Sequence, residues 1–188
     1  MGYEVEIKAH AYPELKAVID SLTGSEGVSI SKKDIYYAEK GDVSPRFRIR
    51  KENEKLVITV KKNNRVNGVE CNEELEFEHT PASDLSIMEK MAEHLGYEVF
   101  IHKSKEGWHW HFEGVHIELL DVHLLGWFLE MEIISTKCSH EENADNILKL
   151  YALLEAFGLS RCDIEERSYQ VMLQEALDNQ LLCENVEQ

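Results

Sequence analysis

Three prolines in 188 residues leave no material for a proline-rich linker, and no internal repeat or low-complexity segment interrupts the chain. No stretch approaches the roughly 20 apolar residues of a membrane-spanning helix. Glu4 and Glu6 interrupt the stretch where a signal peptide would lie. There is no CxxC pair: Cys71, Cys138, Cys162 and Cys183 are scattered. Without an export signal they read as reduced thiols, and a cytoplasmic location is expected. Cations are scarce too, with 20 Lys and Arg against 36 Asp and Glu and a net charge of −16. Such a surface repels DNA, RNA and anionic lipid, whose binding rests on basic side chains neutralising phosphates. Nucleic acid and membranes are therefore not expected partners. A small phosphorylated ligand is compatible with this charge if the few basic residues are gathered in one place.

What remains is ordinary globular material, 43% hydrophobic and 30% charged, of a length that suits one domain. Tyr3 to His10 alternates polar and apolar residues, the period of a strand. Pro13 precedes a short helix whose apolar face is Leu15, Val18, Ile19 and Leu22. Strands are expected at Lys33–Glu39, Arg46–Lys51 and Lys55–Lys62, and Asn67-Gly68 signals a type I′ hairpin into a strand from Val69 to His79. Pro81 and Ser83 introduce a helix with Leu85, Met88, Ala92 and Leu95 on one face, ending at Gly96. Three or four strands follow at about 97–105, 107–113, 115–122 and 127–135, with Gly107, Gly114 and Gly126 at the breaks. A helix at about 141–157 carries Ala144, Ile147, Leu148, Tyr151 and Leu154, and a final one spans about 167–178. The pattern is that of one α+β domain dominated by antiparallel strands.

The polar strand faces carry the chemistry. Glu4, Glu6 and Lys8 share one face, as do Arg46, Arg48 and Arg50, Glu74, Glu76 and Glu78, Lys103 and Lys105, and Glu130 and Glu132. A solvated charged face is the plain explanation for any one of these strands. Against it, whole strands here carry a single sign, and stacked like charges repel unless something opposite lies between them. Divalent cations facing the acidic strands and phosphates facing the basic ones would supply that if the sheet closes into a barrel. Carboxylates are the hard donors Mg²⁺ and Mn²⁺ prefer, and Arg and Lys suit phosphate.

Glu4-Val-Glu-Ile-Lys8 resembles the ExExK signature of the CYTH, or triphosphate-tunnel metalloenzyme, superfamily. The resemblance continues in order through Asp34-Ile-Tyr-Tyr37, Arg48-Ile-Arg50, Thr59-Val-Lys61, Glu74-Leu-Glu76, Lys103-Ser-Lys105, Glu118-Leu-Leu-Asp121, Leu125 to Glu132, and Ser168-Tyr169. It implies an eight-stranded antiparallel β-barrel, a tunnel with helices packed outside, as a single domain over 1–178 with a loose tail over 179–188. It implies metal binding by Glu4, Glu6, Glu130 and Glu132, helped by Glu76 and Asp121, with Mg²⁺ or Mn²⁺ as cofactor. It implies phosphate binding by Lys8, Arg48, Arg50, Lys61, Lys103 and Lys105. Relatives more often have Arg where Lys105 stands, and many have Arg where Asn72 stands. Members cyclise ATP to cyclic AMP or hydrolyse inorganic or thiamine triphosphate, and the Asp-x-Tyr-Tyr and Leu-Gly-x-Phe-x-Glu-x-Glu segments are most similar to class IV adenylyl cyclases. In a hydrolase, Lys103 would aid deprotonation of the attacking water. The expected partner is thus a small-molecule triphosphate; a homodimer is left open.

His109 and His111, with His102, His116 and His123 nearby, form an HxH strand pattern without the spacing of a structural zinc site. They read as surface or core-edge histidines among Trp108, Trp110 and Phe112. Cys71 has no paired His and is not expected to be a nucleophile.

Overall fold

The computed structural model describes residues 2–62, 65–66, 69–135 and 140–186, and the side chains of these except at 2–3, 61–74, 135, 140–142 and 181–186. Among the described residues nine strands form one antiparallel sheet. They are β1 (Gly2–His10), β2 (Val28–Glu39), β3 (Phe47–Glu52), β4 (Lys55–Lys62), β5 (Arg65–Val66), β6 (Val69–His79), β7 (Tyr97–Phe112), β8 (Val115–Val122) and β9 (Gly126–Ser135). The lateral order is β1-β9-β8-β7-β2-β3-β4-β6-β5, and β1 also pairs with β6 from Gly2↔Glu74 to Glu6↔Glu70. Eight strands therefore surround a lumen as a barrel-like wall, with the two-residue β5 appended to β6. The Asn67-Gly68 hairpin lies outside the described residues.

Alternation assigns each strand one face to the lumen and one to the outside. Val5, Ile7, Leu119, Leu129 and Met131 point outward, where α1 (Leu15–Thr23) and α3 (His140–Ala156) cover them with Leu15, Ile19, Ile147, Leu150 and Leu154. Of the apolar residues expected on α3, Ala144 and Leu148 are exposed, while Leu150 is buried in their place. On the far side α2 (Leu85–His94) lays Ala92, Leu85 and Met88 over Ile35, Tyr37 and Ile49 of β2 and β3. Expected and observed elements largely coincide, but β2 begins at Val28 and so is longer at its start.

Two differences matter for the site. Gly107 does not break a strand; β7 runs unbroken through it, paired with Ile30 and Leu120. A Cβ at this position would lie 2.1 Å from the carbonyl oxygen of Leu119, so glycine is here because two backbones approach closely. The final helix, α4 (Tyr169–Val186), continues through most of the stretch expected to be loose. Its first turns enter the lumen. Tyr169 and Met172 pack on Ile30, Leu120, Val122 and Phe128, and Leu173 packs on Tyr36 and Ile101. The lumen is thus charged in one part and apolar in the part α4 fills. No helix among the described residues is long and apolar enough to cross a membrane.

Candidate functional site

A cavity of about 610 Å³ occupies the lumen, within the roughly 300–1,000 Å³ of small-molecule sites. Its wall gathers Glu4, Glu6 and Lys8 from β1, Lys32 and Tyr36 from β2, Arg48 and Arg50 from β3, and Thr59 from β4. Lys103 and Lys105 come from β7, His116 and Glu118 from β8, Glu130 and Glu132 from β9, and Tyr169 from α4. Exposed Val43 and Val171 mark its mouth, together with Pro45, Phe47 and Phe100.

Asp34 organises the basic wall. Its buried carboxylate accepts from Arg50 Nε at 2.7 Å and Nη2 at 3.1 Å, lies 3.0 Å from Lys103 Nζ, and is 4.0 Å from Arg48 Nη1. Burial alone would raise its pKa, but Lys103 and the hydrogen-bonded Arg50 outweigh that and hold it well below the ordinary carboxylate range. The acidic wall has its own network. Lys105 Nζ donates to Glu130 at 2.7 Å and to Glu118 at 3.3 Å, while Glu118 also receives Lys32 and His116. Burial opposes ionisation of Glu130, yet Lys105 brings its pKa down to about 2. Lys32 is pushed below the usual lysine range by burial first and by Lys105 second, against the pull of Glu118.

Local chain geometry delivers Tyr169. After a 3-10 turn at Arg161–Asp163 capped by Ser160, Ile164 bridges to Ala9 and the Glu165 amide donates to the Lys8 carbonyl at 2.8 Å. Lys8 Nζ in turn donates to the Arg167 carbonyl. This clamp sets the Tyr169 ring 4.4 Å from Lys8 Nζ and 4.7 Å from Lys103 Nζ, a shared cation–π platform. Its phenol is raised well above the ordinary range by burial and then by the nearby Glu130 charge.

The structure brings nine of the expected site residues to this one cavity: Glu4, Glu6, Lys8, Arg48, Arg50, Lys103, Lys105, Glu130 and Glu132. Glu76 sits at the rim, bonded to Thr59 Oγ1 at 2.8 Å with a half-exposed side chain. Asp121 does not line the cavity. It alternates with Glu118 and Leu120 on β8, opposite Trp127, so its side chain falls on the outer face, and Glu118 supplies the lumen carboxylate instead. The Lys61 side chain lies outside the described residues. Sequence reasoning gave no role to Lys32, Asp34, Tyr36, Thr59, Glu118 or Tyr169. All but Lys32 fall inside segments singled out above, so the signal was present without an orientation to read it by.

Carboxylates face one another across β1 and β9, with Glu6 directly opposite Glu132 and Lys8 opposite Glu130. Glu130 Oε1 is buried without a hydrogen-bond partner. This oxygen-only donor set is the kind that suits a hard divalent cation, and the nearby cations suit the anion it would accompany.

The model of the CYTH domain family matches residues 2–169. No curated protein matches in sequence. Among solved structures, a conserved hypothetical protein from Pyrococcus furiosus is 28% identical, with TM-score 0.73 over 89% of this chain and 98% of that one. A candidate adenylate cyclase from Vibrio parahaemolyticus is 22% identical, with TM-score 0.73 over 92% and 98%. A Hippeastrum protein described as a candidate adenylyl cyclase with a dominant triphosphatase activity is 18% identical, with TM-score 0.56 over 85% and 89%. At these last two identities the likeness is one of fold.

Proposed function

The chain belongs to the CYTH domain family, and on that footing we propose that its lumen binds a triphosphate with Mg²⁺ or Mn²⁺ and acts as a class IV adenylyl cyclase, converting ATP to cyclic AMP and pyrophosphate. One observation carries this reading: five cations and four carboxylates from four strands, all expected from sequence, line a single cavity. Glu4, Glu6, Glu130 and Glu132 would hold the metal, which when bound neutralises phosphate oxygens and the charge growing on the leaving group. Lys8, Arg48, Arg50, Lys103 and Lys105 grip the phosphate chain, the arginines through paired N–H donors and the lysines as point charges. Asp34 keeps Arg50 and Lys103 extended toward the lumen. In the cyclase reaction the ribose 3′ oxygen bonds to the α-phosphorus as the bond to the β-phosphate oxygen breaks, and the 3′ proton leaves. Inorganic triphosphate would use only the charged part of the cavity. Val43, Pro45 and Phe100 offer apolar surface for a nucleoside, which favours ATP.

Incubation with ATP or inorganic triphosphate and either metal separates the outcomes. Cyclic AMP with pyrophosphate supports the cyclase. Orthophosphate would replace it with a triphosphatase, in which Lys103 helps deprotonate water; binding without product would make the protein a receptor. Glu4→Ala and Glu132→Ala are each expected to abolish metal-dependent turnover with the circular dichroism spectrum unchanged. Undiminished turnover in a folded Glu132→Ala would overturn the metal assignment.

A further inference from the structure

The strand register assembles a second group of ligands beside the carboxylates. His111 of β7 stands opposite His116 of β8, and His109 opposite Glu118. β8 then sets His116 opposite Glu132 of β9. The HxH pair of one strand, unremarkable by itself, thereby gains a third imidazole on the same face of the sheet. The ring centroids of His111 and His116 are 4.6 Å apart, and His109 is 5.7 Å and 5.6 Å from them. One ring nitrogen from each of the three lies within 4.8 Å of the others.

Three details distinguish this group from histidines that merely touch. His116 Nε2 is 2.9 Å from Glu118 Oε1, which holds the ring proton on that nitrogen and turns the Nδ1 lone pair toward the cluster. Histidines that bind metals are oriented by a carboxylate in this way. His116 Nδ1 and His111 Nδ1 are 3.4 Å apart. Two ligands of a tetrahedral ion with metal–nitrogen bonds of about 2.0–2.1 Å stand about 3.3–3.4 Å apart. His109 Nδ1 is buried with no hydrogen-bond partner, a cost that a ligand would remove.

We propose that His109, His111 and His116 form a binding site for a borderline divalent metal, Zn²⁺ foremost, with Glu118 as the positioning residue of His116. Imidazole selects Zn²⁺, Cu²⁺ or Ni²⁺, whereas the oxygen donors of Glu6 and Glu132 select harder ions. The two sites differ in donor chemistry although they adjoin along one row of the sheet. His111 is exposed, so an ion reaches the cluster from solvent, and three protein ligands leave a fourth position open. The proposal stands independently of the cyclase reading.

The test is calorimetric titration of the chelator-treated full chain with Zn²⁺, in excess Mg²⁺ and with thiols kept reduced. One equivalent is expected to bind. His111→Ala and His116→Ala should each weaken it at least 10-fold, and Glu132→Gln should leave it within about 2-fold. Co²⁺ in place of Zn²⁺ should give a ligand-field spectrum without a thiolate charge-transfer band. The proposal is overturned by absence of stoichiometric binding, by unchanged affinity in a folded His111→Ala, or by a thiolate band placing the ion on cysteine. Loss of binding in Glu132→Gln alone would move it to the carboxylates and overturn it equally.

Discussion

Asp34 is the pivot of the basic wall, because Arg50, Lys103 and Arg48 all turn toward one buried carboxylate. Removing one member of a buried charge group leaves the others uncompensated, at a cost of about 3–5 kcal/mol. Asp34→Asn is therefore expected to lower unfolding stability by that amount in urea titration at pH 7. The pH dependence has a definite sign. The folded carboxyl is depressed below its unfolded value, so its contribution is complete above about pH 4 and is lost as pH falls through the folded value. The gap between wild type and variant should stay constant from about pH 7 to 5 and narrow below about pH 4; a gap that widened in acid would contradict the arrangement. Asp34 was visible in the sequence as part of a motif, but its role was not. Its neighbours are Lys33 and Ile35, while its partners arrive from β3 and β7, and alternation within one strand cannot say which strands flank it. Asp121 shows the converse. It sits in a matched segment, yet three positions after Glu118 it has the opposite parity, and parity decides which carboxylate meets the lumen.

Among the elements, β7 and α4 depart most from what periodicity suggests. Gly107 resembles a strand break in the sequence, because nothing local reveals that Leu119 O will approach it. Gly107→Ala must push β7 from β8, and overpacking of this kind costs about 1–3 kcal/mol, readable as a lower thermal midpoint. A variant as stable as wild type would show that the two strands are not pressed together there. The start of α4 was expected at about residue 167 and lies at Tyr169. The sequence could not reveal that the helix enters the lumen, since a helix face that packs in a lumen has the same pattern as one that packs outside. Tyr169 tests that insertion. Its buried hydroxyl faces the Glu130 carboxylate, and its ring touches Phe128 and two lysines. Tyr169→Phe should cost no more than about 1 kcal/mol. Tyr169→Ala should cost about 3–5 kcal/mol through the cavity it leaves. Equal effects of the two substitutions would mean that the hydroxyl, not the ring, anchors the helix.

At the scale of the whole molecule, a chain of net charge −16 turns a cluster of cations inward. The strand faces made this division legible, since alternation separates charged from apolar positions without any knowledge of strand order. A triphosphate approaching from afar meets an anionic body, and along the cavity it passes Glu166 and Asp178, with Glu165 and Glu175 paired to Arg167, before reaching the buried lysines. Salt screens charges across solvent beyond a Debye length of about 10 Å at 0.1 M, and screens buried contacts far less. Repulsion during approach should therefore weaken with added salt more than attraction within the lumen does. Stopped-flow association of ATP at fixed free Mg²⁺ is expected to speed up as KCl rises from about 20 to 150 mM, with the dissociation rate changing less. Association that instead slows with salt would mean that the cations already dominate the field outside the tunnel, and that the acidic mouth places no barrier before them.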